Sequence, residues 1–293
     1  MAGSRPQNNT APPKRVVLAS QRLPTWLRCA IWASQYVYPG GNRMGGFGNV
    51  VRLPFGKVLK LNTNRNEISA MEYVRSHTSV LSREYSQYMT PEQIKEFGQE
   101  RWVAGYLRQL RNLEPPEEGF IGSVSLGSSM DDRLGHNRFG PFHKVADFHD
   151  YLRFGGPLET WNYDPVVKKI HGRSESYKVK FTHANLNTRS IQCHNGRIQA
   201  IIDWEFAGWY PQYWEYTKMY FAEFSFYQTF FAAVVGEPGI EKYPKELRAE
   251  RDIWRVVNPW QYDDFYGKPL IHGGRLQGGG SLCNDEGTWA GGN

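Results

Sequence analysis

Thr182-His183-Ala184-Asn185-Leu186-Asn187-Thr188-Arg189-Ser190 is a polar loop entered from the short apolar run Val179 to Phe181. It is followed by a hairpin whose second strand delivers Asp203, with Glu205 two residues further on. A histidine-bearing loop between a strand and a hairpin, with an acid at the hairpin's far end, can gather a base and metal ligands around a phosphate. A hard cation such as Mg²⁺ prefers oxygen, keeps several waters and needs only one or two protein carboxylates. The alternative for Asp203 is a turn-forming carboxylate. Gly45, Gly46 and Gly48 lie just before the first strand. Glycine there lets backbone N–H groups approach a phosphate closely, and the same letters describe an ordinary turn before a hairpin.

The elements that must position these groups are legible as patterns. Leu23 to Ser34 places Leu23, Trp26, Leu27, Ala30 and Ile31 at helical spacing behind Pro24. Asn49 to Leu61 reads as two short strands around a Pro54-Phe55-Gly56 turn. Arg65 to Ser76 is a helix with Ile68, Met71 and Val74 on its apolar face, capped by Asn62, Thr63 or Asn64. A longer helix opens at Thr90-Pro91, with Ile94, Phe97, Trp102, Val103, Tyr106, Leu107 and Leu110 as its stripe, and Pro115-Pro116 ends it. Gly119 to Pro141 is loop-like and suits a substrate-facing insertion. Asn195-Gly196 is a hairpin turn signal before the strand Ile198 to Ile202, and Trp214 to Trp254 is mostly helical and aromatic.

Composition narrows the class. The 293 residues are 40% hydrophobic, enough to bury a substantial core in one large domain or two lobes. Thirty-five Lys and Arg against 29 Asp and Glu give +6, but the basic residues are scattered, so no nucleic-acid partner is expected. Three dispersed cysteines form neither a disulfide framework nor a CxxC site, which favours a reducing, cytoplasmic setting. Met1 to Arg15 has no apolar core of a signal peptide. Tyr220 to Val235 is interrupted by Glu223, Ser225 and Gln228 and falls short of the roughly 20 residues a span needs, so it reads as a buried helix and no membrane is expected. Residues 1–16 read as disordered and residues 272–293 as a Gly-rich flexible tail.

Three segments carry a family resemblance: His183 to Ile191, then Ile202-Asp203-Trp204-Glu205-Phe206-Ala207-Gly208, then Tyr213-Trp214-Glu215-Tyr216-Thr217-Lys218. They are similar to H-G-D-L-x-x-x-N-I, I-D-W-E-x-A-G and Y-W-E-Y-T-K of the aminoglycoside phosphotransferase and choline kinase group, especially its fungal branch. The resemblance implies an α+β, protein-kinase-like fold of two lobes with ATP and Mg²⁺ between them. The small β-rich lobe, residues 17–80, is truncated, and the larger helical lobe, residues 81–271, holds the catalytic-loop remnant. It implies that Lys60 contacts the α- and β-phosphates with Glu67 as its ion-pair partner, and that Gly46 and Gly48 cover the phosphates. Asp203 and Glu205 would hold magnesium, and His183 would be structural.

Three departures mark a degenerate member, a pseudokinase-like case. The catalytic aspartate is Asn185, which has no useful basicity, and general-base assistance is worth about 10²–10⁴-fold. The metal-binding asparagine is Ser190, shorter and needing a loop shift or a water to reach the ion; Asn187 is the nearby amide at the wrong offset. After His77-Thr78-Ser79-Val80 the chain runs straight into LSREYSQYMTPEQ, without the about 20 residues that two strands and an adenine hinge require. The resulting expectation is ATP-dependent phosphorylation of a hydroxyl on a small polar or cationic molecule, impaired or lost. The alternatives are a non-catalytic binding or scaffold protein with a protein partner, and a decayed gene copy. An active enzyme would turn Asp131, Asp132 and Asp147 toward the cleft to hold a cationic substrate. The aromatics Trp204 to Tyr216 read as core rather than as a base-stacking platform.

Overall fold

The computed structural model describes residues 24–38, 43–44, 50–53, 57–60, 63–79, 100–135, 137–194, 197–221 and 225–257. The glycines Gly45, Gly46 and Gly48, the Pro54 to Gly56 and Asn195-Gly196 turns, the stretch 80–99 where a hinge would fall and both termini lie outside the described residues. The chain divides between Leu61 and Asn62 into two compact units.

In the first unit Pro24 precedes helix α1, Thr25–Val37. Strands β1 (Arg43–Met44), β2 (Val50–Leu53) and β3 (Lys57–Lys60) form an antiparallel sheet in the order β1-β2-β3. Val51 and Leu53 alternate inward, as the two-residue period of a strand requires, and pack with Leu27, Ala30 and Ile31 of α1. The Tyr38 hydroxyl donates to the Leu53 carbonyl at 3.1 Å. Trp26, counted with the apolar stripe in the sequence, is instead 61% exposed. At 100° per residue it falls beside, not on, the face shared by Leu27, Ile31 and Ser34.

The second unit is α+β and mainly helical. Helix α2 (Arg65–His77) is capped by the Asn64 side chain, which accepts from the Glu67 N–H at 2.7 Å. Helix α3 (Glu100–Arg111) buries Val103, Tyr106, Leu107 and Leu110 as the pattern requires, while Trp102 stands exposed. Strands β4 (Gly122–Ser123), β5 (Val179–Thr182) and β8 (Gly208–Pro211) form a sheet in the order β4-β8-β5. Helices α4 (Val145–Leu152) and α5 (Pro165–His171) precede β5. The predicted hairpin is β6 (Ile191–His194) with β7 (Arg197–Ile201). Helices α6 (Trp214–Met219), α7 (Ser225–Gly236) and α8 (Pro244–Val256) complete the unit. One core joins them, with Trp204, Trp209, Tyr210, Tyr213 and Trp214 essentially inaccessible. Together the units give the α+β class read from the sequence.

The segment 119–141 corrects the expectation of a substrate-facing insertion. Backbone bridges join Ile121 to Phe142 and Ser129 to Phe139, and a 3-10 turn at Asp132–Leu134 carries Arg133 into the core. Among the described residues no helix is long and apolar enough to cross a membrane.

Candidate functional site

The loop after β5 is built almost entirely on local hydrogen bonds. His183 is buried, and its Nδ1 accepts from the Asn185 N–H at 3.1 Å, while its Nε2 lies 2.9 Å from the Ile202 carbonyl. An acceptor at Nδ1 and a carbonyl at Nε2 define a neutral imidazole with its proton on Nε2. The ring therefore ties the loop to the end of the hairpin. Ala184, where the motif has glycine, sits at φ 59°, in the left-handed region that costs a non-glycine residue about 1–2 kcal/mol. Asn187 Oδ1 accepts from the Arg189 and Ser190 N–H groups at 2.9 and 3.3 Å, capping the 3-10 turn Thr188–Ser190. Its Nδ2 donates to the Asn185 carbonyl at 3.0 Å. Ser190 is buried and its hydroxyl donates to that same carbonyl at 2.9 Å. Ser190 and Asn187 are thus both engaged inside the loop.

Asp203 follows β7 at φ 64° and opens the 3-10 turn Trp204–Phe206, which carries Glu205. Both carboxylates are partly exposed. Trp204 between them is buried, its Nε1 donating to the Ile201 carbonyl at 2.7 Å, so the turn is pinned from below. Helix α2 holds it from the side: Asn66 donates to the Glu205 and Ala207 carbonyls, each at 2.9 Å. The adjacent Glu67 is buried in the first turn of α2. Lys60 ends β3 in the first unit and is partly buried.

Residues that sequence reasoning had left without a role supply the loop's deeper support. The Glu215 carboxylate accepts from the His183 N–H at 2.6 Å, and burial pushes its pKa upward. Glu215→Ala should cost about 1–3 kcal/mol through the orphaned amide alone. Glu215→Gln, which keeps an acceptor, should cost clearly less, as read by urea unfolding. Tyr213 reaches His149 at 2.7 Å, Trp214 donates to Asp131 at 3.1 Å, and Thr217 and Lys218 join the Asp131 network. The Y-W-E-Y-T-K segment is therefore a clasp. The signal for it was the spacing of polar groups among aromatics on one short helix.

Asp131 is not available to a substrate: it is fully buried against Arg133 at 3.0 Å and Lys218 at 2.9 Å. These cations hold its carboxyl well below the usual range. Asp132 pairs with the same Lys218, and Asp147 is exposed on α4. Among the described residues there is no group of three or more His, Cys, Asp or Glu placed to hold a metal ion. Two carboxylates on one partly exposed turn still suit Mg²⁺, which draws its other ligands from water and phosphate. The buried Ser190 hydroxyl adds nothing evident to that donor set.

No protein-family model matches the chain, and no curated protein does. Solved structures are similar at low identity. The apo form of a thermostable mutant of aminoglycoside phosphotransferase APH(4)-Ia is 15% identical with a TM-score of 0.47, covering 73% of this chain and 83% of that one. A ternary complex of such a mutant with ADP and hygromycin B is 15% identical with a TM-score of 0.42, over 68% and 76% of the two chains. A further complex, with AMP-PNP and hygromycin B, is 14% identical with a TM-score of 0.45, over 78% and 92%. At these scores the likeness gives no functional assignment.

Proposed function

We propose that this chain is a degenerate, kinase-fold member of the aminoglycoside phosphotransferase and choline kinase group, in which phosphoryl transfer to a small polar or cationic alcohol is impaired or lost. The observation that carries the reading is Asn185. A loop with the histidine tether and the Asp203 turn of a phosphate-handling site presents an amide where the chemistry needs a base. Its backbone N–H is spent on His183 and its carbonyl receives Asn187 and Ser190. The side chain can orient an acceptor hydroxyl but cannot take its proton. Asp203 and Glu205 would hold Mg²⁺, which when bound neutralises phosphate charge. On the same reading Lys60 and the amides at Gly46 and Gly48 would meet the phosphates of ATP. The setting proposed is cytoplasmic.

The test is a thermal-shift titration with Mg²⁺ and ATP, beside the double reversion Asn185→Asp with Ser190→Asn. A bound ligand stabilises by RT ln(1 + [L]/Kd), so a chain without purine contacts should show no shift at micromolar ATP. The double reversion should not restore robust turnover, because on this reading the sequence between Val80 and Thr90 is too short to supply a hinge. A strong shift at micromolar ATP, or full recovery of turnover, would overturn the proposal.

A further inference from the structure

The first turn of α2 would ordinarily face solvent or carry a charge for the helix dipole, yet Asn66 is 7% exposed. An asparagine amide has two N–H donors, and both are committed: one to the Glu205 carbonyl and one to the Ala207 carbonyl, at 2.9 Å each. These two acceptors fix the amide's orientation, since a flip would set its oxygen against two carbonyl oxygens. Among the described residues its Oδ1 is buried and has no hydrogen-bond partner. Leaving a buried acceptor empty is costly. The side chain is therefore kept for what its donors hold, and what they hold is the backbone of the turn that bears the two candidate metal carboxylates.

We infer that Asn66 is a positioning residue that makes the first turn of α2 and the Asp203–Ala207 turn move as one body, so that metal occupancy at the carboxylates and the placement of α2 are coupled. The inference rests on the reading of Asp203 and Glu205 as magnesium ligands. The two carbonyls that Asn66 holds bracket Phe206, so they fix the direction in which Glu205 leaves the turn. Asp203 stands at the other end in a left-handed conformation, with the buried Trp204 as a fixed pivot between them. With the pivot set by Trp204 and the far side set by Asn66, the spacing of the carboxylates depends on where α2 lies. Coupling of this kind is reciprocal: a cation at the turn must restrain α2 as much as α2 restrains the turn.

The experiment uses Mn²⁺ as a paramagnetic stand-in for Mg²⁺, with amide hydrogen exchange measured on the same samples of full-length protein. In the wild type, Mn²⁺ is expected to slow exchange both at residues 204–207 and in the first turn of α2. Asn66→Ala should weaken Mn²⁺ binding by about 10–100-fold, the usual loss when a group that orients a ligand is removed. It should speed exchange at 204–207 without Mn²⁺ and abolish the response of α2 to the ion. Asn66→Ser, which keeps one donor, should fall between, and it serves if the alanine variant does not fold. Asp203→Asn should lose Mn²⁺ while leaving exchange in α2 as it was. A merely structural asparagine would lower the melting temperature yet leave the affinity and the α2 response intact, and that result overturns the inference. Wild-type protein that binds no Mn²⁺ refutes the metal reading and the positioning role with it. Unchanged exchange at 204–207 in Asn66→Ala instead refutes the coupling alone.

Discussion

Arg133→Met is expected to destabilise the second unit by about 3–5 kcal/mol, the usual penalty for removing one partner of a buried ion pair. Arg133 is wholly inaccessible, donating to both Asp131 oxygens, to Thr217 and to Glu250, with its guanidinium 3.9 Å above the Trp214 ring. Removing it leaves the Asp131 carboxylate in the core with only Lys218, Trp214 and a backbone amide. A folded domain is stable by only about 5–15 kcal/mol, so the midpoint of urea unfolding should fall sharply. Arg133→Lys should not restore it, because a point charge cannot satisfy Asp131, Thr217 and Glu250 from one planar fork. Glu250 separates this account from a general sensitivity of the core. Burial pushes the Glu250 carboxyl up to about 8 despite Arg133, so near neutrality it already favours its proton. With Glu250 neutral, Arg133 and Lys218 balance Asp131 and Asp132. Glu250→Gln should therefore cost about 1 kcal/mol or less, against several for Asp131→Asn. Equal losses for the two would refute this division of charge.

The stability of the second unit should fall steeply below about pH 4.5 and decline again toward pH 8. His149 and His171 stack at 4.0 Å in the core, where the Ser174 hydroxyl donates to the His171 carbonyl at 2.6 Å. His149 Nδ1 must then donate to Ser174 at 2.6 Å, leaving Nε2 to accept from Tyr213 at 2.7 Å. Arg153 donates to His171 Nδ1 at 2.6 Å. Burial, then the Arg153 charge, holds His149 down to about 3, and burial, His149 and Arg153 hold His171 well below its usual value. Both rings are thus neutral in the fold, and the unfolded chain takes up the extra protons below pH 6.5. The histidine contribution falls as the pH drops from there, by about 3 kcal/mol at pH 4 from His149 alone. Glu250 acts in the opposite sense: its folded carboxyl keeps a proton to about pH 8 that the unfolded chain releases near 4.5, so stability falls as pH rises between those values. Burial also raises the Glu215 and Asp252 carboxyls, which act in the same sense as Glu250, so the carboxyls offset the histidines above about pH 4.5, and below it the histidines dominate. Urea unfolding across pH 4 to 8 should show this asymmetric dome, and Glu250→Gln should flatten its alkaline side. An acid limb as steep in His149→Gln as in the wild type would be incompatible with a neutral, buried imidazole.

Much of the frame was legible because its signals are local. A cap among Asn62, Thr63 and Asn64, the short strands within 49–61, and the helical spacing of Val103 to Leu110 each depend on a few neighbouring residues. Strand β8 was not legible, since Gly208 and Pro211 bracket only two strand-favouring residues, Trp209 and Tyr210, and the segment becomes central only by pairing with β4 and β5. The 119–141 segment misled for a related reason. Its glycines and charges are loop letters, but Asp131 and Arg133 find partners as far away as Lys218 and Glu250, which no local pattern can announce. At the candidate site, the motif gave Asp203, Glu205 and His183 their places in the chain. The anchoring by Asn66 and Glu215 lies in contacts across long sequence separations.

Helix α8 closes a core begun much earlier in the chain. Glu246 receives Tyr177 and Arg173, Glu250 receives Arg133 and Thr217, and Leu247 and Ile253 are buried. Glu250 follows Arg133 by 117 residues. At about 5–20 residues per second, translation leaves that guanidinium without its distant partner for roughly 6–23 seconds. The nascent second unit must therefore leave the ribosome with an open apolar flank, which stays uncovered until Leu247 and Ile253 emerge.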